Sequence, residues 1–326
     1  MPTNYTGRVI TITVVLLAAI WAIFPSLNPK KPDLKPGIDM VGGTSLLYEI
    51  QPPEGGQYTE NLAEQVAASL KKRVDPDGVR DWHGDEGREF RWASITKPVV
   101  ALATLVAAEE GVVDLDEEAG PPGSTVRHLL SHASGLPFDG TVPIAGVGER
   151  RIYSNAGIEV LAQHVERRAE MPFVEYLTEA VLEPLEFSGE LRGSPASGLY
   201  GTLLDLLELG QELLRPTLIS EETLDEATSV AFPGLVGVLP DFGRMDPNDW
   251  GLGVEVRGSK SPHWTGSRNS PRTFGHFGGS GTFLWVDPEA SLALGVLTDR
   301  DFDDWSDEAK RVWPELSDAV LAEAAG

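Results

Sequence analysis

The chain has 326 residues, 41% of them hydrophobic, which is enough for one large domain or two smaller ones. Its 50 Asp and Glu residues outnumber its 26 Lys and Arg residues, and the formal net charge is −24. This charge repels phosphate backbones and anionic lipids, so nucleic acid is excluded as an expected partner. The absence of cysteine excludes disulfides, thiolate metal sites and a cysteine nucleophile.

An uncharged run from Val9 to Phe24, closed by Pro25, is the first element of the chain. Its length is close to the ~17 residues that a helix needs to cross a bilayer. We interpret residues 9–25 as a membrane anchor. A buried core helix and the hydrophobic part of a signal peptide are the alternatives, but no small-residue cleavage site follows the run.

A proline-rich linker follows the anchor up to residue 36, and the next stretch, IDMVGGTSLLYEI, reads as a turn that leads into a strand. Residues 59–74 fit a helix. This beginning, with its Asp-x-x-Gly-Gly motif at residues 39–43, resembles the start of the protein-export subunit SecD. The other membrane helices of that family are absent, so the resemblance predicts a SecD-like fragment over 37–78 rather than a working translocase. Partners from the export machinery are a minor alternative.

The sequence DPDG at 75–78 is a strong turn signal, and the composition changes after it. We therefore assign residues 1–36 to the anchor and linker, the SecD-like fragment to the stretch up to the turn, and residues 79–326 to a compact α/β domain. This last part has several helical patterns, a loop-rich middle and strands before a terminal helix.

The stretch RWASITKP places Ser94 three residues before Lys97, at the start of a helical pattern that ends at Gly111. One interpretation is helix capping by Ser94, with Pro98 in the first turn. The other is a nucleophile beside its base, because positions i and i+3 share a helix face and a lysine of lowered pKa can accept the serine proton. The second interpretation requires another proton-handling group and a strand edge that offers a backbone N–H to an oxyanion.

Two later stretches supply groups of these kinds. RIYSN places Tyr153 and Asn155 just before a helical pattern, so that a phenol and an amide project from a loop. RTFGHFGG reads as a strand that carries His276, and Gly278 and Gly279 would let a substrate approach the strand edge closely. The six histidines are too scattered to predict a metal site.

The Ser-x-x-Lys, Tyr-x-Asn and His-x-Gly motifs formed by these residues resemble the three motifs of the serine β-lactamase and penicillin-binding family, in its class C, DD-peptidase and esterase branch. LLSHASGLP at 129–137 and GTFLWVDPE at 281–289 resemble the loop and the strand that accompany the motifs in that branch. The resemblance implies acyl transfer on an amide or ester, without metal or organic cofactor. Any one of these motifs is weak, and their order and flanks make the resemblance specific.

The resemblance also implies roles for the proton-handling residues. Ser94 attacks the carbonyl carbon and forms an acyl-enzyme, and Lys97 accepts its proton or keeps Tyr153 deprotonated. Tyr153 passes a proton to the leaving group and activates water for deacylation. Whether Lys97 or Tyr153 is the general base stays open, because their titrations would be coupled.

The remaining motif residues are expected to bind and orient the substrate. Asn155 orients the lysine and the substrate amide, and His276 replaces the usual lysine near a substrate carboxylate. The backbone N–H groups of Ser94 and Gly279 hold the oxyanion, where Gly278 allows close approach to the strand. The substrate is expected to be a small molecule or a peptide: a β-lactam, a D-Ala-D-Ala peptide or a small ester.

The fold implied by the resemblance is mixed α/β (α+β), a five-stranded antiparallel sheet flanked by helices, with a helical subdomain and the nucleophile at their junction. In that family an N-terminal helix and a strand pair precede the first motif, and here little chain remains for them. A hairpin of residues 70–74 and 79–83 through DPDG is a candidate for this edge, although SLKKRV matches a buried strand poorly. An incomplete sheet edge is therefore expected.

The alternative function is a non-catalytic membrane or export-related fusion with an incomplete hydrolase domain. For location, the export-like start favours a catalytic part on the extracytoplasmic side, whereas the lysines that follow the anchor favour the cytoplasmic side. Among the other conspicuous residues, His132 and Ser134 are expected to hold their loop by hydrogen bonds. Trp250, Trp264 and Trp285 are expected to pack in the core rather than line a cleft.

Overall fold

The structure, a computed structural model, describes residues 44–49, 80–85 and 87–325. The predicted anchor, residues 9–25, and the predicted helix, residues 59–74, lie outside this part of the chain, so the membrane segment and the SecD-like start stay predictions. No helix within the described residues is long and apolar enough to cross a membrane.

The strands, numbered in chain order, are β1 (Thr44–Glu49), β2 (Arg80–His83), β3 (Phe90–Arg91), β4 (Glu190–Leu191), β5 (Leu199–Gly201), β6 (Gly237–Leu239), β7 (Gly243–Met245), β8 (Glu255–Val256), β9 (Phe274–Gly278), β10 (Thr282–Asp287) and β11 (Leu292–Leu297). The α-helices are α1 (Thr96–Glu109), α2 (Val126–Leu130), α3 (Asn155–Ala169), α4 (Phe173–Leu177), α5 (Leu203–Leu214), α6 (Glu221–Thr228) and α7 (Ser306–Ala324). The main sheet has six strands in the order β2–β1–β11–β10–β9–β8, and β3, β5 and β4 form a smaller sheet.

The antiparallel part of the main sheet separates two apolar cores. Strands β9, β10 and β11 pair antiparallel and are buried along their whole length. Because side chains alternate along a strand, Leu284 and Val286 of β10 belong to the core that contains α1 and α5. Phe283 and Trp285 lie on the other face, where the Phe283 ring is 5.1 Å from the ring of Trp313 on α7. The predicted strand carrying His276 and the paired strands after it are thus confirmed.

The far edge of the main sheet differs from the expected five-stranded antiparallel arrangement. Strand β1 pairs parallel with β11, from Thr44 opposite Leu292 to Glu49 opposite Leu297, and β2 pairs parallel with β1. Parallel neighbours need a long crossover, and residues 50–79 are numerous enough to provide one. The edge is therefore filled by a strand from the segment assigned to the SecD-like fragment. The strand after DPDG pairs with β1, and the predicted hairpin with residues 70–74 stays a prediction because those residues lie outside the described part of the chain.

Helix α1 lies between the main sheet and the helices around it. The sequence pattern predicted a half-buried helix, but the residues from Thr96 to Ala107 are all buried. The 3.6-residue spacing of the apolar residues underestimates the burial of α1. Both sides of this helix contact protein, so its polar positions are enclosed as well. The helix ends as predicted, with Gly111 in the left-handed region at φ 73°.

A buried ionic cluster fixes the β8 end of the main sheet. Glu255, opposite Gly275 of β9, lies 2.7 Å from Lys260 Nζ and 2.9 Å from His263 Nε2, and its other oxygen accepts a hydrogen bond of 2.5 Å from Trp264 Nε1. Burial raises the pKa of the Glu255 carboxyl, but the charges of Lys260 and His263 outweigh burial and hold this pKa well below its usual range. The carboxylate is thus the counterion that makes a buried Lys260 tolerable.

We expect Glu255→Gln to lower the free energy of unfolding by about 3–5 kcal/mol, because it leaves the Lys260 ammonium buried without a counterion. Urea unfolding followed by tryptophan fluorescence measures this loss. The matched control is Glu226→Gln, which breaks an exposed pair with Arg127 and should cost less than about 1 kcal/mol. Equal losses in the two variants would show that the cluster contributes no more than a surface pair.

Candidate active site

Ser94 lies in a single 3₁₀ turn, Ala93–Ile95, that leads directly into α1. The N-cap of α1 is Ile95, and no side chain caps the helix, so the capping interpretation of Ser94 is wrong. Ala93 has a φ of 47°, in the left-handed region that is costly for a residue with a Cβ. This turn presents the Ser94 side chain at the helix N-terminus, where the helix dipole favours a developing negative charge.

Lys97 lies on the first turn of α1 and is fully buried. Its Nζ donates to Ser94 Oγ at 3.1 Å and to Asn155 Oδ1 at 2.8 Å, and a third bond of 2.9 Å reaches the backbone carbonyl of Ala196. Burial lowers the pKa of the Lys97 ammonium to about 7, and the negative charges of Glu159 and Asp139 oppose this shift. A substantial fraction of the side chain is therefore a neutral amine near neutral pH, as a base requires.

The second motif enters the site at the start of α3. Ser154 caps this helix by accepting a 2.8 Å hydrogen bond from Gly157 N, and its own hydroxyl donates to Pro137 O at 2.6 Å. The cap sets Asn155 as the first helical residue, with its amide oxygen on Lys97. The expected role of Asn155 in orienting Lys97 thus corresponds to a direct hydrogen bond between the two side chains.

Tyr153 closes the site above Lys97. The Lys97 nitrogen lies 4.7 Å from the centre of the phenol ring, and a side-chain hydrogen bond links the phenol with Ser94. Burial raises the pKa of Tyr153 well above its usual range, and the Ser94 bond only partly opposes this effect. Burial therefore favours the protonated phenol, which weighs against the alternative in which Lys97 keeps Tyr153 deprotonated.

The end of β9 passes against the nucleophile turn. A Cβ at Gly278 would lie 2.6 Å from the Trp92 carbonyl oxygen and 3.2 Å from Ala93 Cβ, so only glycine allows this approach. Thr282 Oγ1 donates to the same Trp92 carbonyl at 3.1 Å. At Gly279 a Cβ would meet nothing within 4 Å, which leaves open space beside the turn. The close approach at Gly278 thus fits its expected role, and the role of the Gly279 N–H in holding an oxyanion stays a prediction.

His276 lies beside Tyr153, with ring centres 5.6 Å apart, but it is not a cation. Its Nδ1 is 2.6 Å from the Phe277 carbonyl oxygen, which can only accept, so Nδ1 carries the hydrogen. Burial, together with the charge of Lys97, lowers the pKa of His276 to about 3. The Nε2 atom is shielded from solvent and has no hydrogen-bond partner within the described residues. The expected role of His276 as a charged partner for a substrate carboxylate therefore lacks the charge.

Several groups that hold the site were not foreseen. The Ala196 carbonyl binds Lys97, and its segment is fixed because Ser194 Oγ accepts from Ala196 N at 3.0 Å and itself donates to Glu159. Thr96 joins the nucleophile turn to β5, since its hydroxyl accepts from Leu199 N at 3.0 Å. A backbone carbonyl leaves no signal in a sequence. Glu159 could have been found from the sequence, because it lies one helical turn after Asn155 on the same helix face.

The residues set aside as structural behave largely as expected. Ser154 N donates to His132 Nδ1 at 3.2 Å, and Leu136 N donates to Ser134 Oγ at 3.4 Å, so both side chains hold their loop. Trp264 and Trp285 are buried in the core. Trp250 is also buried, yet its ring lies 4.7 Å from His132 and 5.5 Å from His276, so it forms the floor beneath the site.

Chemically, the arrangement is an alcohol beside a buried amine and a phenol. Such a site can transfer a proton from Ser94 to Lys97 while a protonated Tyr153 stands ready to donate one, which is the requirement for acyl transfer. No group of three or more His, Asp or Glu side chains in the described part of the chain is placed to hold a metal ion. The four groups expected to converge, Ser94, Lys97, Tyr153 and His276, are brought together in one place.

Comparison with known proteins identifies the family to which the chain belongs. Residues 75–316 match the model of the Beta-lactamase family, so the chain belongs to that family. The crystal structure of a β-lactamase from Mycobacterium bovis is 56% identical with a TM-score of 0.74, and the match covers 77% of this chain and 93% of that one. EstCE1, a hydrolase with promiscuous acyltransferase activity, shares the fold at 17% identity and a TM-score of 0.61, over 79% of this chain and 97% of its own.

A curated relative matches a smaller part. Penicillin-binding protein 4* of Bacillus subtilis (strain 168) is 26% identical over an alignment of 128 residues, and the match covers 29% of this chain and 28% of that protein. The chain therefore spans less than a third of the length of this relative. Together with the family match, these similarities support a serine-hydrolase type of function in general.

We expect the rate at which a neutral fluorophosphonate labels Ser94 to rise with pH through about 7, because Lys97 can accept a proton only when it is neutral. Glu159→Gln removes a negative charge that raises the Lys97 pKa, so it should move the midpoint to lower pH. The measurement is the second-order labelling rate across the neutral range.

The control for this profile is Glu221→Gln on the exposed start of α6, which removes the same charge away from the site and should leave the midpoint unchanged. A flat profile in the wild type would contradict the assignment of Lys97 as the titrating group. An equal shift in both variants would mean that overall charge, rather than the local field of Glu159, sets the midpoint.

Proposed function

We propose that this protein is a serine hydrolase that forms an acyl-enzyme on an amide or ester, of the β-lactam, D-Ala-D-Ala peptide or small-ester type. The observation that carries the proposal is the 3.1 Å hydrogen bond between Ser94 Oγ and the Nζ atom of a fully buried lysine whose pKa is lowered to about 7. A serine hydroxyl becomes a useful nucleophile only when a neighbouring base takes its proton.

In acylation, Ser94 Oγ attacks the carbonyl carbon of the substrate while its proton passes to the neutral Lys97 amine. The carbonyl oxygen becomes an oxyanion, which the backbone N–H groups of Ser94 and Gly279 stabilise at the open side of the β9 end. The position of Ser94 at the N-terminus of α1 adds the favourable end of the helix dipole. Gly278 permits this geometry because β9 must pass close to the nucleophile turn.

Lys97, rather than Tyr153, is the general base in this proposal. Burial acts on both groups and favours the neutral form of each: it lowers the pKa of the lysine and raises that of the phenol. A neutral amine accepts a proton, whereas a neutral phenol donates one. The two groups are therefore prepared for opposite steps, and a phenolate is not needed to begin the reaction.

Collapse of the tetrahedral intermediate expels the leaving nitrogen or oxygen, which takes the Tyr153 proton. The Lys97 ammonium, 4.7 Å from the ring centre, then returns a proton to the phenolate. Asn155 keeps the lysine in place through its 2.8 Å hydrogen bond. Deacylation runs the same transfers with water as the nucleophile, which releases the acid and restores the Ser94 hydroxyl.

The similarities agree with this chemistry. The Mycobacterium bovis protein, 56% identical, is called a β-lactamase, and the curated Bacillus subtilis relative is called a penicillin-binding protein. Both names refer to proteins that react with acyl compounds, which supports acyl transfer for this chain and leaves its own substrate to be determined by experiment.

The test is covalent labelling of the full chain with a fluorophosphonate that carries a neutral tag, followed by intact-mass measurement. The wild type should gain one adduct on Ser94, and Ser94→Ala should lose both the adduct and ester hydrolysis, the latter by at least about 10³-fold. Lys97→Met should react far more slowly, because the hydroxyl then lacks its base.

The matched control is Ser267→Ala, which removes an exposed hydroxyl that bonds Asp318, far along the chain from the motif. It should label as the wild type does. The proposal fails if folded wild-type protein takes no label, or if the Ser94→Ala protein is labelled and hydrolyses esters as fast as the wild type. Circular dichroism of each variant establishes that it is folded.

A further inference from the structure

The side chains of β9 offer no hydrogen and no charge to a substrate. His276 is 4% exposed, its Nδ1 hydrogen is used on the Phe277 carbonyl, and Nε2 retains a lone pair shielded from solvent. The next side chain, Phe277, turns to the opposite core, where its ring lies 5.8 Å from that of Phe242 and 5.9 Å from that of Trp313. A carboxylate beside this strand would meet an aromatic ring and a lone pair.

The two cations whose charge lowers the pKa of His132 or His276 already use their hydrogens within the protein. Lys97 uses its nitrogen on Ser94, Asn155 and the Ala196 carbonyl. Arg151, 3% exposed, donates to the backbone carbonyls of Asn248, Ser131, Ala231 and Phe232. The three hydrogens of the Lys97 ammonium and four of the five N–H hydrogens of Arg151 are thus used within the described residues, so neither cation is placed to pair with an anionic substrate.

His132 does not supply a positive charge for an anionic substrate either. Its Nδ1 accepts the Ser154 N–H, so in the neutral ring the hydrogen is on Nε2, which is shielded from solvent and has no partner among the described residues. The ring is 2% exposed and packs 4.8 Å from Tyr153 and 4.7 Å from Trp250. His132 and His276 thus support the same two aromatic rings as neutral groups.

The local field and the entrance both disfavour anions. Glu159 and Asp139 act on Lys97 by their negative charge, and the whole chain carries a formal charge of −24. The loop that follows α2 exposes apolar side chains. Phe138 is 51% exposed with its ring 5.9 Å from that of Tyr153, and Val142 and Ile144 are 74% and 58% exposed. Backbone bonds from Asn155 N and Ala156 N to the Phe138 carbonyl hold this side chain beside the start of α3.

We infer that the site, if it acts as proposed above, takes uncharged esters or amides with apolar groups, and that a substrate carboxylate lying beside β9 is rejected. Of the three substrate types proposed above, this favours the small ester over β-lactams and D-Ala-D-Ala peptides that carry such a carboxylate. The specificity-determining residue is His276, which holds a neutral imidazole at the position where the motif comparison expects a partner for a carboxylate. Burying an anion without a counterion is unfavourable, and the negative faces of Tyr153 and Trp250 add to the repulsion.

The experiment compares matched substrates with the wild-type chain. Methyl 3-acetoxybenzoate and 3-acetoxybenzoate differ in one methyl group and in the charge of the leaving group, and the p-nitrophenyl ester of 4-carboxybenzoate and its methyl ester differ in the same way on the acyl group. We expect kcat/KM to be at least about tenfold lower for the carboxylate in one or both pairs, after correction for spontaneous hydrolysis. His276→Lys, which places an ammonium on β9, should reduce the difference selectively.

Glu221→Gln is the control variant, because it changes net charge by the same amount as His276→Lys but lies on the exposed start of α6. It should leave the ratio between the two substrates of each pair unchanged. Equal kcat/KM within both wild-type pairs, with hydrolysis dependent on Ser94, overturns the inference and leaves the serine hydrolase proposal standing. Absence of Ser94-dependent hydrolysis of all four compounds overturns both. If His276→Lys does not fold, the wild-type pairs still decide the matter.

Discussion

Lys97 is buried completely, and the groups that bond its nitrogen are a hydroxyl, an amide oxygen and a backbone carbonyl, all of them neutral. Burial of an ammonium without a bonded counterion is costly, and the group responds by releasing its proton more readily. This single condition explains much of the architecture around it. Burial of Lys97 requires that α1 is enclosed on all sides. Its hydrogen bonds require that α3 begins at Asn155 and that the Ala196 carbonyl lies against the lysine nitrogen.

A second buried lysine, Lys260, shows the effect of a counterion in direct contact. Lys260 is also buried, but it lies 2.7 Å from Glu255, so its environment holds a negative charge close by. The pKa of both lysines is lowered by burial, yet only Lys97 lacks a carboxylate in direct contact. The Glu255 cluster orients β8 against β9, whereas the surroundings of Lys97 favour the neutral amine that the proposed base requires. The difference in counterion, rather than burial itself, separates a structural lysine from a reactive one.

The motif residues were predictable because each belongs to a residue type that chemistry selects: Ser94, Lys97 and Tyr153 could be named from sequence, and the structure brings them together. The Ala196 carbonyl could not, since backbone groups carry no residue signal, whereas Gly278 and Gly279 were named because glycine itself marks a close approach. The neutral state of His276 also depends on the Phe277 carbonyl and on burial, which only the fold shows. The sheet edge was missed because the residue types in the stretch 38–50 predict a strand but do not specify a parallel partner.

In the proposed reaction, catalysis and recognition depend on different elements. The nucleophile, base and phenol depend on α1 and α3, whose contacts are hydrogen bonds of fixed geometry. The proposed recognition depends on β9, where the backbone at Gly278 must stay close to the Trp92 turn but the buried side chain at 276 is free of that requirement. A change of residue at this position can alter the charge that a substrate meets while the Ser94–Lys97 pair is preserved. One family can in this way retain acyl transfer and change its substrates, because the constraint on Gly278 does not extend to its neighbour's side chain.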